Sequence, residues 1–150
     1  MLLMMIQACS SIDCPLNSIV QTAYKLQGDV ESLPYILTVS TARNDGNDTV
    51  LLNQITAVDS FCLPISYQHP EDILYFSITT TGGDGYLDTV TIRKENFQHF
   101  TSVDCAGAYF HTITDVSATN HALDSIAIHR SRVTNEINEA HLYIYFKSDL

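Results

Sequence analysis

Basic residues are scarce in this sequence. Only 7 Lys and Arg stand against 17 Asp and Glu, which gives a formal net charge of -10 at pH 7. A nucleic-acid-binding surface needs clustered basic side chains to neutralise phosphates, and no such cluster occurs here, so we exclude nucleic acid as a partner. An anionic membrane surface would repel the same charge. Attachment to a membrane would therefore depend on a covalent lipid.

The sequence also lacks long apolar runs. None approaches the roughly 18 to 20 residues that span a bilayer, so we expect that the domain does not cross a membrane. Of the 150 residues, 45% are hydrophobic and 16% are charged, a balance typical of a folded domain. This length fits one domain with a substantial core.

A helical pattern is missing as well, because no window keeps apolar residues at i, i+3, i+4 and i+7 for three turns. Alternation with a period of two is frequent instead; Leu74, Phe76 and Ile78, for example, alternate with polar or amphipathic neighbours. Nine segments show this pattern: 18–26, 35–42, 48–52, 61–67, 72–80, 87–93, 108–113, 123–129 and 139–147. Residues 95–100 fit either a helical turn or an edge strand.

Clusters of Gly, Asn, Asp and Pro separate these segments, at a spacing of about ten residues. Short strands joined by short turns favour two packed antiparallel sheets over a parallel sheet with crossover helices. We predict an all-β fold, an antiparallel β-sandwich of about eight to nine strands with an immunoglobulin-like or related Greek-key arrangement.

The N-terminus reads MLLMMIQAC, a short apolar run followed by Ala8 and Cys9. A small residue directly before a cysteine, after an apolar run, is the pattern of a bacterial lipoprotein processing site. We predict that residues 1–8 are the remnant of a signal peptide, that Cys9 is lipidated, that 9–13 form a tether, and that 14–150 form a single domain. A ragged apolar N-terminus is the alternative.

Three further cysteines remain. Cys14 precedes Pro15 and Cys105 lies in a turn-like stretch, so both stand at element boundaries where a bridge distorts no strand. We predict a Cys14–Cys105 disulfide, worth roughly 4 to 5 kcal/mol in the chain-entropy model, and hence an oxidising compartment. Cys62 lies within a strand close to Pro64, a residue that indicates an edge position or a bulge. We expect a buried, inert thiol there.

Metal and catalytic motifs are weak. The six histidines are scattered, and the four cysteines lack the paired spacing of a zinc site. Acidic loops at 44–48 and around Asp84 and Asp88 offer oxygen ligands without the spacing of an EF-hand, so turns explain them better. We predict no metal, no cofactor and no catalytic residues. His141, Tyr143 and Tyr145 alternate along the last strand and form a possible ligand face.

Several stretches together resemble one protein family. They are ACSSIDC (8–14), FCLPISY (61–67), FTSVDCAGAYFHT (100–112), LDSIAI (123–128) and NEAHLYIYF (138–146). The resemblance is to uncharacterised Bacteroidetes lipoproteins classed as a domain of unknown function. It implies an exported, lipid-anchored β-domain in which Cys9 matches the lipidated cysteine. Bacteroidetes glycosylate Asp-Ser/Thr-aliphatic tripeptides, so it also implies possible O-glycosylation at Thr49, Thr89 and Ser125.

The leading hypothesis is a non-enzymatic lipoprotein of the cell envelope, facing the periplasm or exposed on the surface, that serves as a binding or accessory module. Its partners would be the membrane, through the lipid, and an unidentified envelope protein or glycan. One alternative is an envelope hydrolase or thiol enzyme that uses Cys62. Another is a calcium- or glycan-binding β-module.

Overall fold

The computed structural model describes residues 20–42, 48–100 and 107–150, and these residues form ten β-strands without a helix. The strands are β1 (Gln21–Leu26), β2 (Ile36–Ala42), β3 (Asp48–Ile55), β4 (Ser60–Pro64), β5 (Glu71–Thr79), β6 (Gly85–His99), β7 (Ala108–Ala118), β8 (Leu123–Ile128), β9 (Arg132–Val133) and β10 (Leu142–Phe146). The predicted all-β class is confirmed. Within the described part of the chain, no helix qualifies as a membrane span.

The strands form two sheets. One has four strands in the order β4-β1-β10-β8, and the other has six in the order β3-β2-β5-β6-β7-β9. Every pairing is antiparallel except that of β1 with β10, which is parallel and sets Tyr24 opposite Leu142. Pro64 ends the edge strand β4, as the sequence indicated, because proline donates no ladder hydrogen bond. The predicted sandwich is confirmed.

The core lies between the two sheets and follows from the alternation of side chains. Leu37 and Val39 of β2 and Phe76 of β5 are fully buried, whereas their sequence neighbours are half-buried or exposed. From the other sheet, the Tyr24 ring stacks on Phe61 with centroids 5.0 Å apart. Each such side chain contributes roughly 1.5 to 3 kcal/mol by leaving water, so this interior dominates the stability of the fold.

Strand β6 is longer than the sequence pattern suggested. The sequence of residues 95–100 fits either a helical turn or an edge strand. In the structure, residues 95–99 continue β6, which pairs with β7 as far as His99. The register shifts between Arg93 and Lys94, because Thr114 of β7 has no partner opposite it. This bulge reverses the alternation along β7, so that His111 and Ile113 are buried.

Asp88 on β6 organises the turn between β7 and β8. Its buried carboxylate accepts hydrogen bonds from Thr119 Oγ1 (2.7 Å) and from the backbone N–H groups of His121, Ala122 and Leu123 (2.7 to 2.9 Å). Burial alone would raise the pKa of Asp88, but these hydrogen bonds outweigh it and lower the pKa. The carboxylate therefore stays ionised inside the protein and fixes the turn.

The sandwich has two ends. At the proximal end the chain enters β1 after Val20, next to the β4–β5 loop (65–70), the end of β6 and the segment from 129 to 141. At the distal end lie the β1–β2 loop (27–35), the β3–β4 loop (56–59) and the β5–β6 turn (80–84), together with residues 119–122 and 147–150. The two ends differ in chemistry.

Candidate functional site

A buried lysine lies at the proximal end. Lys94 is only 4% exposed, and its Nζ donates to Ser66 O (2.8 Å), His69 O (2.5 Å) and Asn96 Oδ1 (2.7 Å). A protonated amine has three hydrogens, so every donor of Lys94 has an acceptor. Burial lowers the pKa of Lys94, and the charge of Asp72 opposes that effect. The side chain ties the β4–β5 loop to β6.

A buried histidine extends this arrangement. His111 is fully buried, and its Nδ1 lies 2.7 Å from Asn96 Oδ1. Because an amide oxygen only accepts, Nδ1 carries the proton and Nε2 is left as a bare acceptor. Nε2 has no hydrogen-bond partner among the residues described. Burial and the positive charge of Lys94 lower the pKa of His111, and the negative charge of Asp72 opposes them only in part, so the pKa falls to about 4.

Asp72 supplies the negative charge near these groups. Its carboxylate accepts hydrogen bonds from Ser66 N (3.1 Å) and from Ser66 Oγ. Burial raises the pKa of the Tyr24 phenol well above its usual value, and the Asp72 charge raises it further. We call Ser66, Asp72, Lys94, Asn96 and His111 the Lys94 network. It contains one cation and one anion, and it closes the proximal end of the core.

The loop that Lys94 holds carries an exposed aromatic pair. Tyr67 is 56% exposed, and its ring stacks on that of Tyr109 with centroids 5.5 Å apart and planes 13° from parallel. Gln68 Nε2 donates to Tyr109 OH at 2.8 Å. Phe100, 58% exposed, follows β6 at the same end. The proximal end therefore presents aromatic rings to the outside on a rigid support.

A small polar cleft lies beside this surface. It measures about 70 Å³ and is lined by Arg130, Arg132, Thr134, Glu136, Asn138 and His141. Sites for small organic molecules usually measure roughly 300 Å³ or more, so this cleft suits water or an ion better than a metabolite. Arg132 also covers the Phe97 ring, with Cζ 4.6 Å from the centroid.

The predicted ligand face is divided. His141 does not point outward as expected, because it precedes β10, is 2% exposed, and its Nδ1 accepts the Ala23 N–H at 2.9 Å. Burial and the Arg130 charge lower its pKa. Tyr143 and Tyr145 are half-buried on β10, and Tyr143 stacks on His129 at 4.2 Å. The two tyrosines remain a predicted face, without His141.

The three predicted O-glycosylation residues are all on strands. Ser125 is exposed on the edge strand β8, whereas Thr49 and Thr89 are half-buried on β3 and β6. Asp88, which precedes Thr89, is fully engaged with the β7–β8 turn. Ser125 is thus the most accessible of the three. Glycosylation itself stays a prediction.

The cysteines divide by position. Cys9, Cys14 and Cys105 lie outside the described residues, so their lipidation and pairing stay predictions. Cys62 is half-buried on the edge strand β4, opposite Ala23, and carries a free thiol. Burial raises the pKa of that thiol, which reduces the thiolate needed for nucleophilic attack.

The acidic loops do not assemble a metal site in the part of the chain that the structure describes. There, no three His, Cys, Asp or Glu side chains come close enough to hold an ion. Asp84 is exposed on the β5–β6 turn, and the oxygens of Asp88 bind backbone N–H groups instead. Residues 44–47 of the other loop lie outside the description.

The Lys94 network and the Tyr67–Tyr109 pair did not emerge from the sequence. One feature of the sequence could have indicated the buried lysine. Lys94 continues the every-second-residue spacing of Val90 and Ile92, which places it on the inward face of β6. Two of its three acceptors are backbone carbonyls 28 and 25 residues away, which no sequence pattern marks. The inward position of His111 depends on the bulge at Thr114.

Comparison with known proteins gives one relationship. No curated protein and no solved structure matches the chain. Residues 36–146, which run from β2 to the end of β10, match DUF6452, described as a family of unknown function. That range covers most of the 150 residues and includes the whole six-stranded sheet. The chain belongs to this family, DUF6452.

Proposed function

We propose that this protein is a non-enzymatic lipoprotein of the bacterial cell envelope, anchored through Cys9 and serving as a binding or accessory module. The observation that carries the proposal is the place where the chain enters the sandwich. Val20 leads directly into β1 at the proximal end, eleven positions after Cys9. A fully extended segment of that length reaches at most about 40 Å, so an acylated Cys9 keeps the domain next to its membrane.

The proposed disulfide agrees with the same geometry. Cys14 lies six positions before Val20, and Cys105 lies two positions before Gly107, and both Val20 and Gly107 are at the proximal end. Segments of these lengths reach about 20 Å and 7 Å, so a Cys14–Cys105 bridge requires no rearrangement of the strands. Such a bridge persists in the oxidising envelope.

The polar groups at the proximal end support a structural role rather than catalysis. All three hydrogens of the Lys94 amine are occupied, and His111 is buried beneath the loop. A catalytic amine or imidazole must reach its substrate. The raised pKa of Cys62 disfavours the thiol-enzyme alternative for a similar reason.

Metabolic labelling tests the anchor. The full chain, produced in a bacterium that acylates lipoproteins and fed with labelled palmitate, is expected to carry label and to sediment with the membranes. Cys9→Ala should lose both the label and the sedimentation, whereas the matched control Cys62→Ala should keep both. A Cys9→Ala protein that stays membrane-bound would overturn the proposal.

A further inference from the structure

The proximal end concentrates the exposed aromatic surface of the described residues. Tyr67 and Phe100 are the two aromatic side chains among the large hydrophobic residues exposed on the surface, at 56% and 58%, and both lie at this end. Ile128 and Ile137, 37% and 43% exposed, lie there too. Tyrosine rings favour the boundary between lipid headgroups and acyl chains, where an apolar body and a polar hydroxyl are both accommodated, and a neighbouring phenylalanine can bury its apolar ring at the same depth.

The two ends differ in the kind of basic side chain rather than in the number of carboxylates. The distal end has six exposed carboxylates beside Lys25 and Lys147: Asp29, Glu31, Asp59, Asp84, Asp124 and Asp149. Six exposed carboxylates also lie toward the proximal end: Asp48, Glu71, Glu95, Asp115, Glu136 and Glu139. All three arginines within the described ranges, Arg93, Arg130 and Arg132, lie toward the proximal end.

The proximal arginines are partnered. Arg93 Nε lies 3.1 Å from Glu71, Arg130 lies 3.9 Å from Glu139, and Arg132 covers Phe97. Partnered arginines reduce the repulsion from a membrane surface and can direct their guanidinium groups to headgroups while their stems cover apolar surface.

We propose that the proximal end is a membrane-facing surface, and that Tyr67 and Phe100 contact the headgroup region of the bilayer that holds the Cys9 lipid. This inference rests on the proposed anchor, because the chain that bears Cys9 joins β1 at this end. The Lys94 network gives the surface its rigidity, since Lys94 holds the backbone on both sides of Tyr67 through Ser66 O and His69 O. The distal end then faces away from the membrane and is free for partners.

The orientation is measurable because the chain contains no tryptophan. Tyr67→Trp places a single fluorophore at the proximal end, and Leu87→Trp places a matched one toward the distal end, where Leu87 is 57% exposed. Both variants are prepared as the full lipidated chain in phosphatidylcholine vesicles whose acyl chains carry bromine, a short-range quencher. We expect a blue shift and at least threefold stronger quenching for Tyr67→Trp. Equal quenching, or stronger quenching of Leu87→Trp, would overturn the inference.

Flotation of the unsubstituted protein with the same vesicles separates this inference from the proposed anchor. If the protein floats but the two tryptophans are quenched equally, the anchor stands and the orientation is wrong. If the protein does not float, the anchor is wrong. In that case an N-terminal hexahistidine tag on each variant binds a nickel-chelating lipid and tethers the chain. Stronger quenching of Tyr67→Trp than of Leu87→Trp then supports the orientation, and equal or reversed quenching overturns it.

Discussion

Lys94 joins the β4–β5 loop to strand β6 through all three of its ammonium hydrogens. We expect Lys94→Met to cost about 3 kcal/mol of unfolding free energy, because two backbone carbonyls and one amide oxygen lose a charged donor in a buried position. Urea unfolding measures this loss. The matched control is Arg93→Ala. The Arg93 side chain is 64% exposed and forms only a surface ion pair with Glu71, so the cost should stay within about 0.5 kcal/mol. Equal costs for the two variants would contradict the role of Lys94.

The buried histidines predict how stability depends on pH. Both His111 and His141 have pKa values lowered by burial, His111 to about 4. Below a pH of about 6.5 the unfolded chain binds protons that the folded protein excludes, so stability is complete above that pH and falls as the pH drops toward 4. For His111 the loss reaches up to about 3 kcal/mol.

Unfolding free energies measured by urea between pH 7.5 and pH 4 test whether stability falls as the pH decreases. His111→Gln keeps a hydrogen-bond donor for Asn96 and removes the titrating group. It should therefore reduce the slope of the unfolding free energy against pH. A variant that retains the full slope would show that His111 does not titrate as the burial predicts.

At the scale of elements, the β1–β2 loop depends on one glycine. Gly28 has a φ of +86°, and a Cβ added there would lie 3.0 Å from Tyr145 Cδ1. Gly28→Ala should therefore destabilise the fold by about 1 to 2 kcal/mol, from backbone strain and crowding together. Gly85→Ala is the control, because a Cβ at Gly85 meets nothing within 4 Å. Thermal unfolding measures both, and a Gly28→Ala protein as stable as Gly85→Ala would refute the argument.

Nine of the ten strands were predictable because one face of each sheet is buried and the other is not, which imposes a period of two on the sequence. Strand β9 (Arg132–Val133) is too short to show a period. The β7 bulge was not predictable either, since Thr114 is one residue inside an otherwise regular strand. His141 was expected to face outward because it continues the alternation of β10, but it precedes the strand and its ring replaces a backbone acceptor for Ala23.

The candidate site depends on tertiary contacts rather than on local pattern. Lys94 reads in the sequence as a surface charge, and only the position of the β4–β5 loop carbonyls makes it an interior one. Tyr67 and Tyr109 are 42 positions apart and stack because β4 ends and β7 begins at the proximal end. The lipidation of Cys9, by contrast, is a prediction that depends on the sequence alone, because a lipoprotein processing site is a short linear motif.

At the scale of the whole molecule, the proposed Cys14–Cys105 bridge should stabilise the sandwich. In the chain-entropy model, closing so long a loop contributes about 4 to 5 kcal/mol. We expect dithiothreitol to lower the urea midpoint of the wild-type protein substantially and to have no further effect on Cys14→Ala. Cys62→Ala should respond to the reductant as the wild type does, because Cys62 is free. A wild-type midpoint that does not respond to reductant would contradict the bridge.

The two ends of the sandwich give the molecule a polarity, because the two aromatic side chains among the exposed large hydrophobic residues of the described ranges, Tyr67 and Phe100, both lie at the proximal end, where the chain enters β1. Such polarity suits a domain held against a surface at one end. The claim that Cys9 is lipidated is therefore central, since the proposed anchor would hold these aromatic and arginine residues against the membrane.

Intact-mass spectrometry of the full chain, extracted from the membranes of a bacterium that acylates lipoproteins, tests that claim most directly. We predict a mature species that has lost residues 1–8 and begins with Cys9, with added mass corresponding to a diacylglyceryl group. An unmodified polypeptide that still contains residues 1–8 would contradict it.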